Sequence, residues 1–61
     1  MNLLEMIKYL NEDPKNRVVK DNYGYIYIIN DDLLVNNCEY FCINIKGIIS
    51  ILDREFEDYI L

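Results

Sequence analysis

The chain contains no histidine, tryptophan, threonine, glutamine or alanine, and only one serine, one proline, two glycines and two cysteines. Without histidine, a serine or cysteine nucleophile lacks its usual general base. A zinc site within one chain also lacks ligands, because two cysteines fill only half of a four-coordinate shell. Gly24 and Gly47 stand alone, so there is no glycine-rich phosphate loop. Cys38 and Cys42 make no disulfide framework. Four residues apart on one strand, their Cα atoms would lie about 13 Å apart, whereas a disulfide needs less than about 7 Å. Both are expected to be reduced and to behave as small buried hydrophobes.

No apolar run approaches the roughly 20 residues of a membrane-spanning helix. The start, Met1-Asn2-Leu3-Leu4-Glu5, has neither the basic segment nor the cleavage site of a secretory signal. Ten isoleucines, eight asparagines and six tyrosines among 61 residues are the products of A/T-rich codons, which points to a low-GC bacterium or its phage. These features predict a cytoplasmic protein of a bacterial host, with no catalytic residue, no cofactor and no metal.

What is present fits a single domain, residues 1–61, near the lower size limit for unaided folding. The net charge is −5, and all of the excess lies in residues 31–61, where Lys46 and Arg54 face seven acids. That distribution argues against general binding to a nucleic-acid backbone, which needs clustered cations. It suits contact with a basic protein surface.

Asn2 and Glu5 have the spacing of a capping box. Leu3, Leu4, Ile7 and Leu10, with Met6 beside them, then form one apolar stripe, which predicts an amphipathic helix over residues 3–12, ended by Pro14. Arg17 to Lys20 reads as a short strand, and Asp21-Asn22 as a two-residue hairpin loop, with Gly24 marking a bulge or a close backbone approach. Tyr23 to Ile29 alternates as a central strand. Its Gly24, Ile26 and Ile28 side is expected to lie under the helix, and its Tyr23, Tyr25 and Tyr27 side to face outwards as a ladder, with Tyr40 on a neighbouring strand. Asn30-Asp31-Asp32 is a solvated turn before Leu33-Leu34-Val35, and Asn36-Asn37 is another turn. Cys38 to Ile45 alternates again, with Phe41, Ile43 and Ile45 towards the core, and Lys46-Gly47 closes the meander.

The remainder is open to two readings. Ile48, Ile49, Leu52, Phe56, Tyr59 and Ile60 recur with helical spacing, and Arg54 and Asp58 are placed to pair at i, i+4. Against one helix stand the β-branched isoleucines, and residues 55–60 equally suit a short strand after a short helix. The fold class in either case is α+β, an N-terminal amphipathic helix packed on a small antiparallel β-meander.

Two features stand out as candidate sites. The tyrosine ladder offers stacking surfaces with polar tips, the residue type enriched at interfaces. Arg17 and Lys20 beside it supply cations, so that Arg17, Lys20, Tyr23, Tyr25 and Tyr27 form a candidate site for an anionic, planar ligand. The acids Asp53, Glu55, Glu57 and Asp58 form a second candidate surface, for a basic protein.

The succession of a short helix, Val18-x-Lys20-x-x-Tyr23, a Tyr-Ile-Tyr-Ile strand, an Asn/Asp turn, a further strand and a closing Leu-Asp-x-x-Phe-Glu-x-Tyr (Leu52 to Tyr59) resembles a group of small phage proteins. That group includes the anti-Thoeris sponge proteins, which sequester cyclic ADP-ribose-type immune signals. Lys20 and Tyr23 stand where the family usually carries a basic pair and a tryptophan. The resemblance implies a closing strand, and ligand binding by Lys20 and Tyr23, with Arg17, at a site shared between subunits.

Three functional expectations follow. One is a non-catalytic counter-defence protein that sequesters a nucleotide-derived signal, of the cyclic ADP-ribose or cyclic oligonucleotide type, at the interface of a homo-oligomer. The second is an acidic, anti-CRISPR-like inhibitor covering a basic host protein. The third is a small structural interaction module. None involves a membrane or direct binding to nucleic acid.

Overall fold

Asn2 opens the first helix as its spacing from Glu5 predicts. In a computed structural model, which describes residues 1–31, 33–37 and 45–59, the Asn2 side chain accepts from the Glu5 amide and the Glu5 carboxylate accepts from the Asn2 amide, both at 2.9 Å. Helix α1 (Leu3–Glu12) follows, with Leu3, Met6 and Leu10 buried along one face, while Leu4, expected in the apolar stripe, is exposed because it points away from the sheet. At ten residues it is too short to persist alone and depends on that face for its stability.

The helix lies on an antiparallel sheet of β1 (Val19–Asp21), β2 (Ile26–Asn30), β3 (Leu33–Asn36) and β4 (Phe56–Asp58), in the order β3-β2-β1-β4. A second, seven-residue helix, α2 (Ile45–Ile51), precedes β4. The architecture is α+β, as expected. Of the two readings of the C-terminal segment, the short helix followed by a strand is the one observed. Lys46 and Gly47 sit inside α2 and do not close a meander, and Ile45 is 76% exposed at its start instead of facing the core. Phe41 and Ile43, predicted with Ile45 to face the core, lie outside the described residues, as do Asp32, Cys38, Tyr40 and Cys42.

β1 and β2 are joined by residues 22–25, of which Asn22–Gly24 form a three-residue hairpin loop closed by Asp21 and Tyr25. The Asp21 amide donates to Tyr25 O at 2.9 Å and the Gly24 amide to Asp21 O at 3.1 Å. Gly24 has φ +92°, the left-handed conformation that three-residue hairpin loops require and that glycine supplies without strain. The two-residue Asp21-Asn22 loop is therefore corrected: Asp21 is the last residue of β1. In the next turn Asp31 also has a positive φ, 57°, which an aspartate tolerates.

The core comprises Leu3, Met6 and Leu10 of α1, Val19, Tyr27, Ile51 and Phe56. This reverses the expectation for β2. Tyr27 is fully buried, and Tyr25 and Ile29 pack against the core, while Ile28 on the other side is 37% exposed. Both sides of this strand are apolar enough to be buried, so alternation defines two faces without ranking them. The choice is made by hydrogen bonding, because a buried phenol needs a partner for its hydroxyl, and Asp21 and Arg54 supply one. The helical stripe in the tail does not describe its buried side either. Ile51 fills the core, whereas Ile49 and Leu52 are 65% and 57% exposed.

Candidate functional site

Asp21 organises the end of the sheet at which the β1–β2 hairpin turns. Its side chain is buried among polar partners. Oδ1 accepts from the Tyr23 and Tyr25 amides at 2.8 and 3.0 Å, and Oδ2 accepts from the Tyr27 hydroxyl at 2.6 Å and from Arg54 Nη1 at 2.8 Å. Arg54 Nη1 also donates to the Tyr27 oxygen at 3.0 Å. Arg54 reaches this position because α2 ends at Ile51 and the Arg54 amide donates to Ile51 O, which turns the chain back towards β1. The helical pairing of Arg54 with Asp58 does not form; Arg54 pairs with Asp21.

Burial by itself would raise the Asp21 pKa, but the bonds from Tyr27, Arg54 and the two loop amides outweigh it and hold the group below the ordinary carboxylate value. Tyr27 is pushed up to about 12, first by burial and then by the neighbouring carboxylate. Arg54 loses some affinity for its proton through burial and gains more from Asp21 and Tyr27, so its pKa lies above the usual guanidinium value. At neutral pH the cluster is a carboxylate, a phenol and a guanidinium.

Above this cluster lies an exposed aromatic surface. The Arg54 guanidinium carbon is 4.8 Å from the Tyr23 ring centroid and 5.1 Å from that of Tyr25, within the range of cation–π attraction. Tyr23 is 69% exposed. Tyr25 is half-buried, and the Arg54 side chain keeps 21% of its surface accessible. The hairpin thus presents one flat ring next to a cation whose position is fixed from behind by Asp21.

The five residues of the first candidate site do not form one surface. Tyr23 and Tyr25 meet at Arg54, and Tyr27 is a core residue that supports them from below. Lys20 points to the opposite side of the sheet, where Nζ lies 3.3 Å from Glu57 Oε1 and 5.9 Å from the Tyr59 ring centroid. Arg17 lies against α1. Its Nη1 donates to Tyr9 O at 2.9 Å and to Glu12 at 3.1 Å, and its guanidinium stacks on the Tyr9 ring at 4.3 Å. It satisfies a carbonyl of the last helical turn.

Arg54 is the residue that reasoning from sequence passed over as a site member. Its signal was its isolation as one of two cations amid seven acids. Asp21 was read as loop, although an Asp placed before a short glycine-containing loop is suited to accept its amides.

The acidic candidates Asp53, Glu55, Glu57 and Asp58 are all exposed. They do not share one face. Glu57 pairs with Lys20, while Asp58 approaches the Tyr9 hydroxyl on the helix side and pushes that phenol up, chiefly by hydrogen bonding. Among the described residues no helix is long and apolar enough to cross a membrane. Comparison with known protein families, curated proteins and solved structures finds no match for the chain.

Proposed function

We propose that the chain is a non-catalytic binding protein that sequesters an anionic, nucleotide-derived signal of the cyclic ADP-ribose or cyclic oligonucleotide type, in the manner of a phage counter-defence sponge. The observation that carries this reading is the exposed Tyr23 ring held beside the Arg54 guanidinium. A base stacks on the ring, and the cation attracts the phosphates. The resemblance of the motif around Lys20 and Tyr23 to the sponge family supports the same ligand class, with Arg54 taking the place of Lys20 as the cation at the ring.

The test is depletion and recovery. Cyclic nucleotide signals are incubated with the protein, the mixture is filtered, and the retained protein is heated to release what it holds. Sequestration gives loss from the filtrate followed by full recovery of unchanged ligand. Tyr23→Ala removes an exposed ring, and base–aromatic stacking is worth roughly 1–3 kcal/mol, so binding should weaken about 5- to 150-fold. Absence of depletion by the unaltered protein would overturn the proposal, and chemically altered ligand would show catalysis.

A second reading has its own observation. Asp53, Glu55, Glu57 and Asp58 lie within six residues and are all exposed; although they do not share one face, they concentrate negative charge at this end of the chain, which suits an acidic inhibitor of a basic host protein, with association accelerated by charge. Under that reading Glu55→Lys slows association with the target, and Tyr23→Ala leaves it unchanged.

A further inference from the structure

Arg54 carries a charge that is already met from behind. Its Nη1 donates to Asp21 Oδ2 at 2.8 Å and to the Tyr27 oxygen at 3.0 Å. Burial would raise the Asp21 pKa, but the bonds it accepts hold it below the ordinary value. The carboxylate therefore stays ionised, and the pair sums to zero charge. The pair is also oriented. The Asp21 side chain has no accessible surface, whereas that of Arg54 is 21% accessible, so the positive end faces solvent. Nε and Nη2 make no hydrogen bond among the described residues. They remain as donors in the fixed fork that suits a phosphate.

Little else near the ring favours an anion. Of the six lysines and arginines in the chain, Arg54 alone stacks on Tyr23 and Tyr25 among the described residues. Arg17 is taken up by Tyr9 and Glu12, and Lys20 by Glu57. Asp53 and Glu55 adjoin Arg54 in the chain and are exposed. Glu55 is fixed beside the hairpin loop, because the Asn22 amide donates to Glu55 O at 3.1 Å and the Glu55 amide to Asn22 Oδ1 at 3.2 Å. The loop amides are spent as well. Those of Tyr23 and Tyr25 go to Asp21 Oδ1, and that of Gly24 to Asp21 O, so the loop forms no cradle of free N–H groups of the kind that binds phosphate chains.

We infer that the site selects, within the class of ligand proposed above, nucleotides joined by phosphodiesters over those joined by a pyrophosphate. The inference rests on the reading of Tyr23 and Arg54 as a nucleotide site. An oriented ion pair attracts as a dipole, because its two Coulomb terms oppose one another, and that attraction falls with distance faster than that of a lone charge. A single phosphate in contact with Nε and Nη2 sits at the positive end and gains charge-assisted hydrogen bonds. The second phosphate of a pyrophosphate lies farther out, where Asp21 largely cancels the Arg54 charge. It meets Asp53, Glu55 and a net charge of −5 without a cation of its own.

Isothermal titration calorimetry with cyclic diadenylate, joined by phosphodiesters, and cyclic ADP-ribose, which contains a pyrophosphate, tests this. Cyclic diadenylate should bind about fivefold more tightly, the weight of one exposed charge contact, and ATP should compete for the site less well than AMP. Glu55→Lys, an exposed substitution that supplies a second cation, should favour cyclic ADP-ribose and bring the two affinities within about twofold. Equal or tighter binding of cyclic ADP-ribose to the unaltered protein, better competition by ATP than by AMP, or a ratio unchanged by Glu55→Lys would each overturn the inference and leave the nucleotide site standing. Binding of neither cyclic nucleotide would remove the proposed function itself, and this inference with it.

Discussion

Asp21 receives four hydrogen bonds, two from loop amides and two from the side chains of Tyr27 and Arg54. Each partner needs it for a different reason. The amides belong to a loop that has left the sheet ladder, the phenol is buried in the core, and the guanidinium carries a charge into a partly desolvated position. Removing one member of such a charge pair costs more than the pair itself contributes, because the other charge is left uncompensated. Asp21→Asn keeps an oxygen for the amides but turns an amide nitrogen towards two donors. A loss of about 3 kcal/mol is expected. A domain of this length holds only about 3–9 kcal/mol in all, so urea denaturation should find the variant close to unfolded. A loss below about 1 kcal/mol would show that the network is not needed to hold Tyr27 in place.

Among the elements, α1 is the one whose boundaries can be read directly from the chain. Its capping box, apolar stripe and Pro14 all act within a few residues of one another, and the helix runs over Leu3–Glu12 as they dictate. The β1–β2 hairpin was only half legible. Gly24 marked a special backbone position, but Asp21-Asn22 has the same turn chemistry as a two-residue loop, and no local feature separates the two registers. A Cβ built at Gly24 meets nothing within 4 Å, so a substitution there acts through backbone conformation alone. Gly24→Ala should cost about 1–2 kcal/mol. Gly24→Asn should cost less, because asparagine visits the left-handed region more readily. Equal thermal shifts for the two would show that the positive φ is not the cause.

For the whole molecule, pH reports on the same cluster from both ends. Tyr27 has a folded pKa raised to about 12 from an ordinary 10.0. Its contribution to stability is fully present below pH 10 and is lost as pH rises through about 12. Asp21 has a folded pKa depressed below 3.8. Its contribution is present above that value and is lost as pH falls through the depressed one. Urea midpoints should therefore be level through the neutral range and fall at both ends. Tyr27→Phe should flatten the alkaline fall while lowering stability by about 1–3 kcal/mol at neutral pH. An alkaline limb unchanged in this variant would assign it to other tyrosines.

The amino-acid sequence by itself determined the class of fold, the first helix, the alternation of β2 and the uneven charge, because each depends on neighbours within a turn or two of chain. Tertiary structure alone decided which side of β2 is the core and where Arg54 goes. Both depend on Arg54 meeting Asp21 and Tyr27 across separations of 33 and 27 residues. In a strand whose two sides are equally apolar, burial energy does not choose between them. A hydrogen-bond partner supplied from a distant part of the chain does, and it left Tyr23 exposed beside the guanidinium and the isoleucine face without a cover among the described residues.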